Sequence, residues 1–255
     1  MRVFLYGIAG IILGPWSEIT LFAQEKADAA SHQTTLVSVP FIGCRSDGQV
    51  GPVNAPKGTS TSMSLSAGLA EKLSYYRSAQ GVGVLGPRGW YCFGTYGSSG
   101  DALFVSPEPF DTAMMFSAQS RFTGPAIEIS HRFGDTSGRF DVAEIIARVF
   151  PSYKAFVTGV VGAFDLPANS FSFGPYPRDI LTYKGKTVVE FKTPARTDGL
   201  GTNSRLKKND SPIEGVAILI GQTPDLLFLS ARLPRELTRL TSAIVQQVER
   251  DAANH

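Results

Sequence analysis

The sequence lacks a strong charge of either sign. Its 24 Lys and Arg are nearly balanced by 22 Asp and Glu, which gives a formal net charge of +2. Binding to nucleic acid calls for a clustered basic face, so we expect no nucleic-acid partner. The one basic run, Arg205, Lys207 and Lys208, lies in a Gly-rich polar stretch that is typical of a solvated loop.

Histidine is also scarce. Of the three histidines, His32 precedes the first predicted strand, His255 is the last residue, and His131 lies within a strand pattern. With two cysteines and no EF-hand spacing, this argues against a metal site, and no motif implies a cofactor. Any serine-hydrolase chemistry would need His131 as its base. Because His131 shares a strand face with Ile127 and Ile129, the pattern favours a partly buried structural histidine.

Complete catalytic motifs are absent. Residues 96–100 (YGSSG) lack the first glycine of a nucleophile elbow, and residues 204–207 (SRLK) stand without the other elements of penicillin-recognising enzymes. Residues 199–201 and 135–138 match dinucleotide-binding and aspartic-protease signatures only in part. The sequence therefore assigns no catalytic residue.

Long apolar runs are missing beyond residue 29. Before it, Arg2 precedes an apolar run over residues 3–14, which Pro15 ends and which is too short to cross a bilayer. This pattern is typical of an export signal, with small-residue cleavage options at Ala23 and Ala29; an uncleaved interfacial anchor is the alternative. We expect residues 1–29 to be a signal peptide or export segment and the mature chain to have no membrane span.

Only two cysteines are present, Cys44 and Cys92, each in or next to a strand-like run. An even pair in an exported chain predicts a disulfide and a periplasmic or secreted protein. Two free buried thiols are the alternative.

The remaining pattern, residues 30–255, predicts a single α+β domain with a mainly antiparallel sheet and about four helices packed on it. Ser66 is expected to cap a helix that carries Leu69, Leu73 and Tyr76, and Thr136 or Ser137 a helix over residues 142–150. Further helices are predicted at residues 153–164 and after Pro234.

The strand patterns predict a meander over residues 82–106, a strand at 126–132, a hairpin over 180–191 and a loop over 46–59. Residues 216–220 and 226–231 are apolar throughout, which predicts central strands covered on both faces.

Aromatic side chains, an arginine and glycines cluster over residues 86–100. Rigid rings beside hydrogen-bonding groups suit recognition of a sugar or peptide, so we predict that Arg88, Trp90 and Tyr96 contact a ligand. Residues 173–178 are a second candidate surface.

These features favour a non-enzymatic module of the cell envelope that binds a ligand or protein partner. The alternatives are an envelope hydrolase that uses a serine with His131, and an assembly or adaptor protein. The sequence leaves the oligomeric state open.

Overall fold

The computed structural model describes residues 35–109, 112–117 and 121–254. The predicted export segment, residues 1–29, lies outside these ranges. The strands are β1 Thr35–Gly48, β2 Ser60–Leu65, β3 Leu73–Ser78, β4 Gly83–Pro87, β5 Tyr91–Gly97, β6 Gly100–Ser106, β7 Ala126–Arg132, β8 Ile180–Tyr183, β9 Val188–Thr193, β10 Ile213–Ile220 and β11 Asp225–Arg232. The helices are α1 Ala67–Ala70, α2 Thr112–Phe116, α3 Arg139–Val149, α4 Lys154–Ala163 and α5 Thr241–Ala252. Short 3₁₀ turns span Pro151–Tyr153, Leu200–Asn203 and Arg235–Leu240.

All eleven of these strands belong to one sheet, in the order β4-β3-β1-β5-β6-β7-β11-β10-β9-β8, with β2 paired to β1. The 14-residue β1 pairs first with β2, then parallel to β3, and finally parallel to β5. The other neighbours are antiparallel. The predicted mixed class with a mostly antiparallel sheet is confirmed, although the sheet is larger than expected.

Four local predictions were wrong. The predicted helix after Ser66 ends at Ala70, and Leu73 and Tyr76 are instead buried in β3, where the Tyr76 hydroxyl donates to the Pro87 carbonyl at 2.6 Å. Packing of an aromatic side chain between paired strands thus overrides the helical spacing. The predicted loop over residues 46–59 begins later, because β1 continues to Gly48.

The predicted meander holds only for β5 and β6, because β4 pairs with β3. Neither Thr136 nor Ser137 is the N-cap of α3. The N-cap is Gly138, whose N–H donates to the Thr136 hydroxyl at 3.3 Å.

Helices cover the two faces of the sheet. On one face α5 buries Ile244 and Val248 against strand residues such as Ile129 and Leu229. On the other, α3 and α4 pack on β10 and β11, where Ile146 and Phe228 belong to the same core. We call these the α5 face and the α3 face.

The sheet curls around the α5 face. β4 contacts β6 and β7 although β3, β1 and β5 separate them in the sheet. The buried Gln247 side chain on α5 accepts the Leu85 N–H of β4 at 3.0 Å, so the helix also satisfies this edge strand.

The predicted disulfide is confirmed. Cys44 on β1 and Cys92 on β5 are bridged, with their Cα atoms 5.4 Å apart. Within the described ranges, no helix has the length and apolar character needed to cross a membrane.

Candidate functional site

The predicted contact residues do not meet in one site. Arg88 is exposed in the turn before β5, but its guanidinium donates to the Leu73 and Ala70 carbonyls at 3.0 and 2.7 Å. Trp90 is half-buried and lines a shallow cavity of about 350 Å³ that contains neither Arg88 nor Tyr96.

Tyr96 lies near the far end of β5, roughly 20 Å along the strand from Trp90. Its hydroxyl donates to the Gly51 carbonyl at 2.6 Å. Ligand contact by these three residues stays a prediction.

The second candidate surface, residues 173–178, carries two cation–π contacts. Lys154 lies over the exposed Phe173 ring at 5.0 Å, and Arg148 over the Tyr176 ring at 4.2 Å. The Tyr176 hydroxyl donates to Asn203 Oδ1 at 2.9 Å. These contacts connect α3 and α4 to the loop around residue 203.

His131 lies between two carboxylates. Its Nδ1 is 4.0 Å from Asp101 Oδ2 and its Nε2 is 3.5 Å from Asp225 Oδ2. The Nε2 atom is buried and makes no hydrogen bond. Among the described residues that line the adjoining cavity, none is a serine.

A larger cavity of about 680 Å³ opens on the α3 face. Glu128, Ser130 and Arg132 line it because alternate side chains of β7 point away from the face of Ile129 and His131. Helix α3 adds Asp141 and Glu144 to the opposite wall. We call this space the arginine cavity, because Arg121, Arg132 and Arg205 all line it.

The three guanidiniums are held by the protein from different segments. Arg132 Nε is 3.3 Å from Asp141 Oδ2, and Arg121 Nη1 donates to the Ser204 carbonyl at 2.9 Å. Arg205 donates to the Met115 carbonyl and lies over the Phe104 ring, 5.3 Å from its centroid. Such tethering holds each planar fork in place before a ligand arrives.

Glu128 is buried at the centre of this group. Its Oε2 accepts the Arg205 backbone N–H at 2.6 Å. Burial raises the pKa of the Glu128 carboxyl above its ordinary value, although that N–H and the three guanidiniums oppose the shift. Burial likewise lowers the pKa of the Arg205 guanidinium, against the effect of Glu128. Buried titratable groups that face a cavity are typical of functional sites.

The loop that carries Arg205 is braced by Asp179. Its carboxylate accepts the Thr193 hydroxyl and the Leu200 N–H, both at 2.7 Å, and Thr193 Oγ1 in turn accepts the Gly201 N–H at 3.0 Å. A Cβ on Gly201 would lie 2.6 Å from the Ile213 side chain, so this close approach requires glycine. Arg205 itself is half-buried, so its interpretation as a solvated loop residue was wrong, whereas Lys207 and Lys208 of the same run are exposed.

A buried arginine fixes the neighbouring segments. Arg232 on β11 is 1% exposed, and its guanidinium donates to the carbonyls of Phe122, Gly124 and Lys207. These carbonyls belong to the two segments that deliver Arg121 and Arg205.

Sequence reasoning missed the arginine cavity. Glu128 and Arg132 alternate with the apolar residues of β7, and polar side chains on a strand between two buried neighbours were a usable signal. No local signal links them to Arg121 or Arg205, which come from separate loops.

Comparison of the chain with protein-family models, with curated proteins and with solved structures finds no significant match. Its function is therefore inferred from its own geometry.

Proposed function

We propose that the chain is a non-enzymatic binding protein of the cell envelope that holds a small polar anion in the arginine cavity. The observation that carries this proposal is the placement of Arg121, Arg132 and Arg205 around the buried Glu128. All three guanidiniums lie close enough to act on the Glu128 carboxyl electrostatically.

The balance of charge in the cavity favours an anion. Of the three lining carboxyl groups, Asp141 pairs with Arg132, and Glu144 pairs at 3.3 Å with Arg148, which is not among the lining residues. Burial raises the pKa of the Glu128 carboxyl, and even with Glu128 counted as ionised the three guanidiniums outnumber Glu128 and Asp141. A carboxylate or phosphate of the ligand would compensate the partly desolvated guanidiniums with charge-assisted hydrogen bonds.

The rest of the lining suits a small, hydroxylated molecule. Ser130 and Asn203 offer a hydroxyl and an amide group, and Phe116, which is 55% exposed, offers a ring face at the cavity. The volume of about 680 Å³ falls within the range of small-molecule sites. A sugar acid combines these requirements.

The disulfide supports a location in an oxidising compartment. A bridged Cys44–Cys92 pair is expected in an oxidising environment, and the apolar run behind Arg2 supplies a route to it. We therefore propose that the protein works in the periplasm or outside the cell.

The two alternative functions have less support. A serine hydrolase would need a hydroxyl group beside the His131 imidazole, where the described residues supply the carboxylates of Asp101 and Asp225. An adaptor would need a partner surface, and sedimentation of the purified protein tests for self-association.

The test is titration of the purified protein with glucuronate, citrate and inorganic phosphate by calorimetry. At least one anion should bind, and Arg132→Gln should weaken its affinity about tenfold or more, because a charge-assisted contact is lost. Arg239→Gln, which removes an exposed arginine near the start of α5, is the matched control and should bind as the wild type does. Absence of binding by all three anions, or equal affinity in both variants, would overturn the proposal.

A further inference from the structure

A second cavity, of about 510 Å³, opens on the α5 face and therefore on the opposite side of the sheet. Much of its wall is apolar and continuous with the core beneath α5; Ile129, Leu227 and Val248 belong to both. The curl of the sheet forms the side walls of this cavity. The start of β4 lines one side, and β7 and β11 line the other. We call it the α5 cavity.

Carboxylates outnumber arginines in the lining of the α5 cavity, two to one. Asp225 and Asp251 line it, and Asp101 lies 4.0 Å behind the His131 ring. Arg77 is the one permanently charged cation among the described lining residues. Helix α5 ends at this cavity, and the carboxyl end of a helix carries partial negative charge.

Asp225 is fixed in a position that leaves one oxygen for a ligand. Its Oδ1 accepts the Gly134 N–H at 2.8 Å, so the side chain cannot turn away from the cavity without breaking this bond. Its Oδ2 faces His131 Nε2 at 3.5 Å without a hydrogen bond. A donor from a ligand would therefore find a carboxylate oxygen already positioned at the cavity wall.

We infer that the α5 cavity binds an organic cation, an ammonium group attached to an apolar body. The two carboxylates outnumber the one arginine and so oppose an anion, and a wholly apolar molecule would leave Asp225 Oδ2 facing hydrocarbon without a hydrogen bond. Within the described ranges, no group of three His, Cys, Asp or Glu could hold a metal ion. An amphipathic amine satisfies both the apolar wall and the carboxylates. The inference uses different residues from the proposed function and does not depend on it.

The experiment compares three probes with the same hydrocarbon chain, hexylamine, hexanol and hexanoate, by calorimetry on the whole protein. We expect hexylamine to bind at least tenfold more tightly than the other two. Asp225→Asn should weaken hexylamine binding about tenfold, whereas Asp198→Asn, which removes an exposed carboxylate elsewhere, should leave it unchanged.

A second variant guards against an indirect effect on folding. Ala252→Phe places a ring in the cavity from a half-buried position at the end of α5 and should abolish binding while the circular dichroism spectrum stays that of the wild type. Equal binding of hexylamine and hexanol, no binding of hexylamine, or undiminished binding in both Asp225→Asn and Ala252→Phe would overturn the inference. Arg132→Gln should not affect hexylamine binding, which separates this site from the arginine cavity.

Discussion

The Glu128 carboxyl group is buried, so its protonation affects the stability of the folded state. Because its folded-state pKa is raised by burial, its contribution to stability is complete below the ordinary glutamate value of 4.5 and is lost as the pH rises through the raised value. Glu128→Gln keeps an oxygen that accepts the Arg205 N–H but does not ionise. We therefore expect the wild type to lose stability relative to this variant as the pH rises from 4 to 8.

Urea unfolding at pH 4, 6 and 8 measures this difference. Glu108→Gln is the control, because its side chain is exposed and should show no comparable trend. A constant difference in unfolding free energy between wild type and Glu128→Gln across this range would contradict the linkage.

Helix α5 acts on the sheet through one polar side chain as well as through its apolar stripe. Gln247 is 2% exposed and accepts the Leu85 N–H. Gln247→Leu leaves this buried donor without its acceptor and should destabilise the protein by about 1–3 kcal/mol. The Leu85 amide should also exchange faster with deuterium, because the β4 edge loses its cover.

The neighbouring Gln246 is exposed on the same helix, so Gln246→Leu is a closely matched control with an expected change within about 0.5 kcal/mol. If both variants unfolded at the same urea concentration, the Gln247 contact would have no role in holding β4.

Elements with a strong local pattern were predictable. The apolar stripe of α5, the buried pair β10 and β11, and the hairpin at Lys184 and Gly185 follow from periodicity and turn chemistry. Residues 71–78 were not, because Tyr76 pairs in the sheet with Ile42 of β1, which is distant in sequence.

The site was predictable only in part for a related reason. Alternation along β7 places His131 on one face and Glu128 on the other, but it does not say what covers each face. Arg121 and Arg205 reach the cavity from loops that tertiary hydrogen bonds position. The prediction that Trp90 and Tyr96 contact a ligand rests on local composition, and the extended backbone of β5 keeps the two residues far apart.

At the scale of the whole molecule, the Cys44–Cys92 bridge links β1 and β5, two parallel strands that also pair in the sheet. The bridge closes a sequence separation of 48 residues, which in the chain-entropy model contributes about 4 kcal/mol. Reduction with dithiothreitol should therefore lower the urea midpoint of the wild type. The double variant Cys44→Ser, Cys92→Ser should start at the lower midpoint and show no response to the reductant; an unchanged wild-type midpoint would contradict this prediction.

Arg232 also links formation of the arginine cavity to the progress of synthesis. Its carbonyl partner Phe122 precedes it by 110 residues, and synthesis proceeds from the amino end. While β11 is still inside the ribosome, the nascent chain therefore lacks the guanidinium that holds the segments carrying Arg121 and Arg205. Capture of an anion by those loops would accordingly report that synthesis has passed this point and that β11 has entered the sheet.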